Sequence, residues 1–137
     1  MWKNIKYFSV AFTDIEEGIK LYRDTFGLQQ MKPISEERFG FRNTLMGNGD
    51  KYFVEIVEPL NPESALARFM KARSGPHNPD GEGVYVIGVE VDDLEATVKN
   101  IRDTGGKVTQ EAADPDVAWV HPLTGRYAFI ELHRHQG

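Results

Sequence analysis

The sequence has 137 residues, of which 40% are hydrophobic and 27% are charged, as is typical of one globular domain with a hydrophobic core. Sixteen Lys and Arg against 21 Asp and Glu give a net charge of −5, so nucleic acids and anionic membranes are poor candidate partners. The chain contains no cysteine, which excludes disulfides, thiol nucleophiles and thiolate metal sites.

The first residues lead directly into a strand-like run, without the apolar segment of a secretory signal peptide. No apolar run approaches the ~18 residues that a membrane-spanning helix needs. We therefore expect a cytoplasmic protein.

An internal repeat is visible along the chain. Residues 14–27 align with residues 93–106 at an offset of 79 positions, and seven of the fourteen pairs are identical. The run Phe-Val-Glu-Ile at 53–56 matches Phe-Ile-Glu-Leu at 129–132 at an offset of 76. Two matches at nearly the same offset indicate a duplication.

Both copies predict the same order of elements. A strand (5–12 or 84–91) leads to Asp14 or Asp93, each of which caps a helix that ends at glycine. Three strands follow, at 28–34, 39–46 and 52–58 in the first copy and at 107–111, 117–120 and 127–133 in the second. The sequence therefore predicts an α+β fold of two βαβββ modules in a single domain.

The N-terminal module covers about 1–60 and the C-terminal module about 84–137, joined by a helix and loop at about 61–83. Asn61 and Pro62 are a suitable N-cap and first residue for this connecting helix.

A glutamate interrupts an apolar strand at the same place in both copies, as Glu55 and Glu131. A single glutamate of this kind is usually a solvated residue on the wet face of an antiparallel sheet. The matched pair instead favours a shared site, with both carboxylates facing one cavity between the modules. Two carboxylates in one apolar cavity repel each other, so we expect the pKa of one to rise and an acid to face a base.

These motifs resemble the vicinal oxygen chelate superfamily, which includes glyoxalase I, bleomycin-resistance proteins, extradiol dioxygenases and methylmalonyl-CoA epimerase. The resemblance is carried by Tyr-Arg-Asp-Thr-Phe-Gly-Leu at 22–28, Val-Asp-Asp-Leu-Glu at 91–95 and the two glutamate strands, and it spans essentially the whole chain. The segment 57–69 is most similar to methylmalonyl-CoA epimerases. The resemblance implies a curved mixed sheet around a cavity, helices on the outside and a homodimer.

In metal-dependent members, the first strand of each module carries a ligand, commonly His, and the last strand carries Glu or Gln. The late-strand positions correspond to Glu55 and Glu131, which would be the ligands if a divalent metal were bound. The first-strand positions are Tyr7 and Val86, but valine has no donor atom and a neutral phenol is a poor ligand. Two carboxylates alone would hold Mg²⁺ or Ca²⁺ weakly. We therefore expect metal-free operation and no other cofactor.

Tyr7 is assigned to catalysis with the two glutamates, and Ser9, Gly88 and His121 are assigned to substrate binding. Tyr7 could donate a hydrogen bond to a carbonyl or enolate oxygen, or it could be a tyrosine of the cavity wall. Ser9 shares its strand face, and Gly88 lies on the matching strand of the second module. His121 lies in a His-Pro pair that resembles the mouth of the family's pocket, and it could contact substrate or be a turn histidine.

The other histidines have less defined roles. His133 shares strand parity with Glu131 and could reach the cavity, but the favoured interpretation is that His133 and His135 are solvated tail residues. His77 is interpreted as an exposed loop residue. A CoA thioester would also need positive charge for its phosphates. The candidates are surface-type residues near the predicted strands: Arg38, Arg42, Lys51 and Arg126.

Three functions remain open. The first is an epimerase, isomerase or lyase acting on a small carbonyl compound or acyl thioester, in which Glu55 and Glu131 remove and return a proton α to the carbonyl. The second is a non-catalytic binding protein of the bleomycin-resistance type. The third is a glyoxalase- or dioxygenase-like metalloenzyme. The retained carboxylates favour the first function, whereas the missing histidines favour the second and count against the third.

Overall fold

The computed structural model describes residues 1–37 and 40–136. Arg38, a candidate phosphate contact, and Phe39, where the predicted strand 39–46 begins, lie outside the described residues.

The described chain contains nine strands and three α-helices, so the predicted α+β class is confirmed. The helices are α1 (Ile15–Lys20), which continues as a π-helical segment (Leu21–Thr25), α2 (Ala65–Arg73) and α3 (Leu94–Asp103). The strands are β1 (Trp2–Ala11), β2 (Gln29–Gln30), β3 (Ser35–Glu37), β4 (Phe41–Gly47), β5 (Tyr52–Pro59), β6 (Gly83–Val91), β7 (Val108–Thr109), β8 (Val117–Val120) and β9 (Ile130–Arg134). No helix in these described parts is long and apolar enough to cross a membrane.

Polar side chains cap the three helices as capping chemistry requires. The Asp14 carboxylate accepts from the Glu16 N–H, and the Asp93 carboxylate accepts from the Ala96 N–H, each at 3.0 Å. Both predicted caps are therefore confirmed. The connecting helix begins later than predicted, because Ser64 caps it by accepting from the Ala67 N–H at 3.1 Å.

Three predicted strands are shorter than expected, and one of them, 107–111, forms only Val108–Thr109. The run 28–34 forms only Gln29–Gln30 before β3 begins at Ser35, so four strands rather than three follow α1. Pro33 lies in this gap and has no N–H to donate to a neighbouring strand. The run 127–133 begins only at Ile130, since Tyr127 has φ +74, outside the extended region.

The chain forms two compact units. We call Phe8–Tyr85 the central unit, and Met1–Tyr7 together with Val86–Gly137 the terminal unit. In the central unit the strand order is β2-β4-β5-β1, and β3 also pairs with β4. β1 runs parallel to β5, with Ser9 opposite Glu55. α1 packs Ile15 and Ile19 into a core with Met46 and Ile56.

In the terminal unit the strand order is β6-β9-β8-β7. β9 is flanked on both sides, parallel to β6 with Gly88 opposite Glu131, and antiparallel to β8 with Trp119 opposite Glu131. α3 covers the sheet with Leu94 and Val98, which belong to a buried apolar cluster with Leu132. The apolar residues of β9 thus face the helix, and the alternate residues Glu131 and His133 lie on the other face.

Candidate functional site

Glu131 lies within a polar cluster of four side chains, the Glu131 cluster: Tyr7, Trp119, Glu131 and His133. The Tyr7 hydroxyl donates to Oε1 of Glu131, and the Trp119 Nε1–H donates to Oε2 at 2.7 Å. His133 Nε2 is 2.6 Å from the same Oε1 and 3.2 Å from the Tyr7 hydroxyl. The Glu131 and His133 side chains are only 17% and 15% exposed. One carboxylate thus contacts three hydrogen-bonding partners away from bulk water.

The strand pairing explains how this cluster forms. Trp119 is the cross-strand neighbour of Glu131 on β8, and His133 lies two residues along the same face of β9. On the other side of β9, the neighbour of Glu131 is Gly88. A Cβ atom at Gly88 would lie 2.6 Å from Cε1 of Tyr7. The glycine therefore leaves the space through which the tyrosine ring reaches the carboxylate.

The protonation of Glu131 follows from its partners. Burial raises the pKa of the Glu131 carboxyl, but hydrogen bonds from His133 and Tyr7, the charge of His133 and the Trp119 bond outweigh burial and lower it. Glu131 is therefore not the glutamate of the pair whose pKa rises. Its surroundings are polar donors rather than apolar walls, so the carboxylate stays ionised at neutral pH.

Glu55 lies in a second set of contacts, the Glu55 cluster of Ser9, Ser35, Asn43 and Glu55. The Ser9 hydroxyl donates to Oε1 of Glu55, and the Asn43 amide donates to Oε2 at 2.7 Å. Asn43 in turn accepts from the Ser35 hydroxyl at 2.9 Å. Ser9 and Asn43 are buried, at 1% and 5% exposure. The Ser35 hydroxyl also accepts from the Lys32 ammonium group at 3.2 Å, so a cation contacts this cluster.

Residues 8–119 match the family model described as the Glyoxalase/Bleomycin resistance protein/Dioxygenase superfamily, a range well over half of the chain. The chain belongs to this superfamily. The resemblance inferred from the sequence motifs is therefore confirmed.

Several relatives from this superfamily are methylmalonyl-CoA epimerases. The mitochondrial methylmalonyl-CoA epimerase of Dictyostelium discoideum is 25% identical over 133 residues, which cover 93% of this chain and 76% of that protein. The structure of methylmalonyl-CoA epimerase from Mycobacterium tuberculosis has a TM-score of 0.79 at 21% identity, covering 99% of this chain and 90% of that one. A Streptomyces coelicolor methylmalonyl-CoA epimerase variant in complex with 2-nitronate-propionyl-CoA has a TM-score of 0.78 at 20% identity, covering 100% and 97%. At these identities, the structural likeness establishes the fold.

The positions at which superfamily members hold a metal do not carry a suitable donor set here. Val86 is buried and has no donor atom. The Tyr7 hydroxyl donates a hydrogen bond to Glu131, whose oxygens contact three side chains. No group of three His, Cys, Asp or Glu that could hold a metal occurs within residues 1–37 and 40–136. The two first-strand positions thus lack the nitrogen donors that suit a transition metal ion.

Two histidine interpretations have different outcomes. His133 is not a solvated tail residue, because β9 is paired on both sides and holds its ring against Glu131. His77 is exposed in its loop, as expected. His135 is exposed and lies 3.3 Å from Glu90.

The remaining predicted residues lie on the surface or in pairs. His121 is exposed, and its Nδ1 accepts from the Leu123 N–H at 3.1 Å. Arg42 pairs with Glu58 at 3.2 Å, whereas Lys51 and Arg126 are exposed.

Sequence reasoning missed two donors, Trp119 and Asn43. Trp119 could have been found by pairing the two last predicted strands, since it lies opposite Glu131 in that hairpin. Asn43 carries no local motif, and its contact with Glu55 depends on the β4 and β5 pairing.

Proposed function

We propose that this chain is an epimerase or isomerase that moves a proton at the carbon α to the carbonyl of a small carbonyl compound or acyl thioester. The observation that carries the proposal is the low-exposure, ionised Glu131 carboxylate, held by three side chains on a strand that the duplication matches to Glu55. The likeness to methylmalonyl-CoA epimerases supports the same reaction class.

Glu131 is in the form that can accept a proton. In the proposed reaction, one glutamate takes the α-proton, the C–H electron pair moves toward the carbonyl oxygen, and the other glutamate returns a proton to the resulting enolate. The donors that keep Glu131 ionised also weaken it as a base, so the enolate needs stabilisation of its own. Tyr7 can supply it. When Glu131 gains a proton, it becomes a weaker hydrogen-bond acceptor for the Tyr7 hydroxyl. That hydroxyl can then donate to the enolate oxygen.

The direct test is solvent proton exchange. The protein is incubated in D₂O with a panel of 2-substituted acyl thioesters and 2-oxo compounds, and deuterium incorporation at the α-carbon is followed by NMR. We expect exchange with at least one compound. A compound that binds tightly without exchanging would favour a sequestering function of the bleomycin-resistance type, and no binding across the panel would contradict the proposal.

The proposed chemistry uses only side chains of this chain, because Tyr7 and Val86 occupy the expected ligand positions. We expect elemental analysis of dialysed protein to give far less than one equivalent of transition metal per chain. Near one equivalent of zinc, nickel, cobalt or iron would favour a glyoxalase- or dioxygenase-like metalloenzyme instead. Homodimerisation and a cytoplasmic location remain predictions.

A further inference from the structure

A pocket of about 420 Å³ lies in the terminal unit, between the end of α3 and the loop that joins β8 to β9. We call it the basic pocket, and its lining residues are Thr104, Gly105, Gly106, Lys107, His121, Leu123, Thr124 and Arg126. Three of these side chains carry N–H donors, and none is a carboxylate. Such a lining is unusual on a chain whose net charge is −5, and it would favour an anion.

The N–H donors of the basic pocket lack acidic partners, unlike other cations of the same unit. Arg134 pairs with Glu95 at 2.5 Å and with Asp116 at 2.8 Å. Among the residues that the structure describes, the Lys107 ammonium group and Nε2 of His121 contact no acceptor. The Arg126 guanidinium reaches only the Leu123 carbonyl, at 3.5 Å. Donors without acidic partners on residues that line one pocket can bind an anion without breaking an existing ion pair.

His121 is held as a donor without needing to be charged. Its Nδ1 accepts from the Leu123 N–H at 3.1 Å, so in the neutral ring the proton resides on Nε2. The neutral ring therefore keeps an N–H donor at Nε2 on a residue that lines the pocket.

The loop that joins β8 to β9 is held by hydrogen bonds and has a strained backbone. Arg126 and Tyr127 have φ angles of +54° and +74°, in the left-handed region that side chains other than glycine rarely adopt. The Tyr127 N–H donates to the Pro122 carbonyl at 2.7 Å, and the Lys107 N–H donates to the Thr124 hydroxyl at 2.9 Å. Strained residues of this kind persist where surrounding contacts fix them, commonly at binding sites.

The basic pocket also lies close to the Glu131 cluster along the chain. His121 follows Trp119 by two residues at the end of β8, so their backbones are about 7 Å apart by strand geometry. Trp119 donates to Glu131. An anionic group in the pocket could thus belong to the same molecule whose α-carbon meets the carboxylate.

We propose that the basic pocket is a subsite for an anionic group of the substrate, a carboxylate or phosphate that accepts hydrogen bonds from Lys107, His121 and Arg126. The assignment of the anion to a substrate rests on the proposed function, whereas the binding of an anion at this pocket does not. A free carboxylate on the acyl group and a phosphate on its carrier share this chemistry, and the test distinguishes them.

The test measures binding of two probes, malonate and inorganic pyrophosphate, to the full chain by isothermal titration at low and high salt. The pocket variant is Lys107→Gln with Arg126→Gln. The matched control, Lys20→Gln with Lys71→Gln, removes the same charge from exposed sites in the central unit. We expect the pocket variant to weaken at least one probe by about tenfold or more, because each charge-assisted hydrogen bond contributes strongly, and we expect the control to change little. The probe that shows the loss identifies the source of the anion.

Equal weakening in both variants would show attraction to net charge alone and overturn the proposal, as would unchanged binding in the pocket variant. The outcome is separable from the proposed function. If the probes bind in the basic pocket but no compound exchanges its α-proton, the proposed function fails and the subsite stands. If exchange occurs and the pocket variant keeps the wild-type KM for charged compounds, the subsite fails and the proposed function stands.

Discussion

The two units hold their matched glutamates with hydroxyl groups from different places. In the central unit, Ser9 lies opposite Glu55 in the parallel pair of β1 and β5 and donates its hydroxyl directly. In the terminal unit, the residue opposite Glu131 is Gly88, and the hydroxyl comes from Tyr7. Ser9 and Gly88 are themselves 79 positions apart, the offset of the repeat.

The difference shows how one strand position can acquire two different sets of hydrogen-bond donors. The serine and amide that hold Glu55 are neutral donors. Around Glu131, the missing side chain at Gly88 admits a phenol, and an indole and an imidazole complete the set. An imidazole can carry charge, so the Glu131 cluster favours an ionised carboxylate more strongly than neutral donors alone would.

The largest expected effect is on proton exchange. Changing either glutamate to glutamine keeps its size but removes its ability to transfer a proton, which commonly contributes ~10² to 10⁴ in rate. We expect Glu131→Gln and Glu55→Gln each to lower the deuterium incorporation rate by a factor in this range. The rates are measured by NMR under saturating substrate.

The control for these variants is Glu63→Gln, a change at an exposed residue of the central unit that lies outside both clusters. Its exchange rate should match that of the wild type. Full exchange in both cluster variants would keep an enzymatic function but remove the glutamates from it, leaving Tyr7 and His121 as the next residues to test.

A smaller effect is expected at Gly88. Gly88→Ala places a methyl group 2.6 Å from the Tyr7 ring, and overpacking of this kind costs about 1 to 3 kcal/mol. Urea unfolding measures the loss. The double variant Tyr7→Val with Gly88→Ser introduces the residue types that the other repeat has at these positions, Val86 and Ser9. We expect it to regain part of the lost stability, because the ring that collides is gone and a serine hydroxyl lies opposite Glu131. A single Gly88→Ala variant as stable as the wild type would contradict this account.

The next effect concerns the Glu131 pKa itself. His133→Gln removes a charge and a donor, so we expect the pKa of the Glu131 carboxyl to rise, as measured by carbon-13 NMR titration. His135→Gln is the matched control just beyond the end of β9, because His135 contacts Glu90 rather than Glu131. An unchanged Glu131 pKa in the His133 variant would show that Tyr7 and Trp119 alone hold the carboxylate ionised.

Local signals made most of the fold predictable. Asp14 and Asp93 lie immediately before periodic apolar residues, and a cap depends only on its own next few residues. The start of α2 was predicted wrongly because Asn61 and Ser64, three residues apart, both suit an N-cap. Asn61 accepts from the Glu63 N–H at 3.0 Å as a turn residue, and Ser64 is the cap.

The site was less predictable because its contacts depend on strand register. The duplication identified both glutamates, but the partners Trp119 and Asn43 come from neighbouring strands. A shift of one residue in pairing would place either side chain on the other face. His133 has the parity of Glu131, and its nearness to the end of the sequence led to the wrong interpretation, since β9 is paired on both sides.

The smallest expected effect is on stability in acid. The folded-state pKa of Glu131 is below its ordinary value, so its contribution to the free energy of unfolding is complete above the unfolded pKa, about 4.3. That contribution is lost as the pH falls through the folded pKa. We therefore expect Glu131→Gln to flatten the curve of stability against pH below about pH 4.3, as measured by urea unfolding at several pH values.

Glu95 contributes in the same pH range, because its hydrogen bonds to Arg134 and to the backbone lower the pKa of its carboxyl to about 2. The two contributions respond differently to salt. The Glu95 side chain is 67% exposed, and 0.5 M salt screens exposed pairs, so the effect of Glu95→Gln should shrink in salt. The Glu131 side chain is 17% exposed and its bonds are short, so the effect of Glu131→Gln should persist. If salt abolishes both effects equally, the Glu131 carboxylate is held by long-range charge rather than by the hydrogen bonds of its cluster.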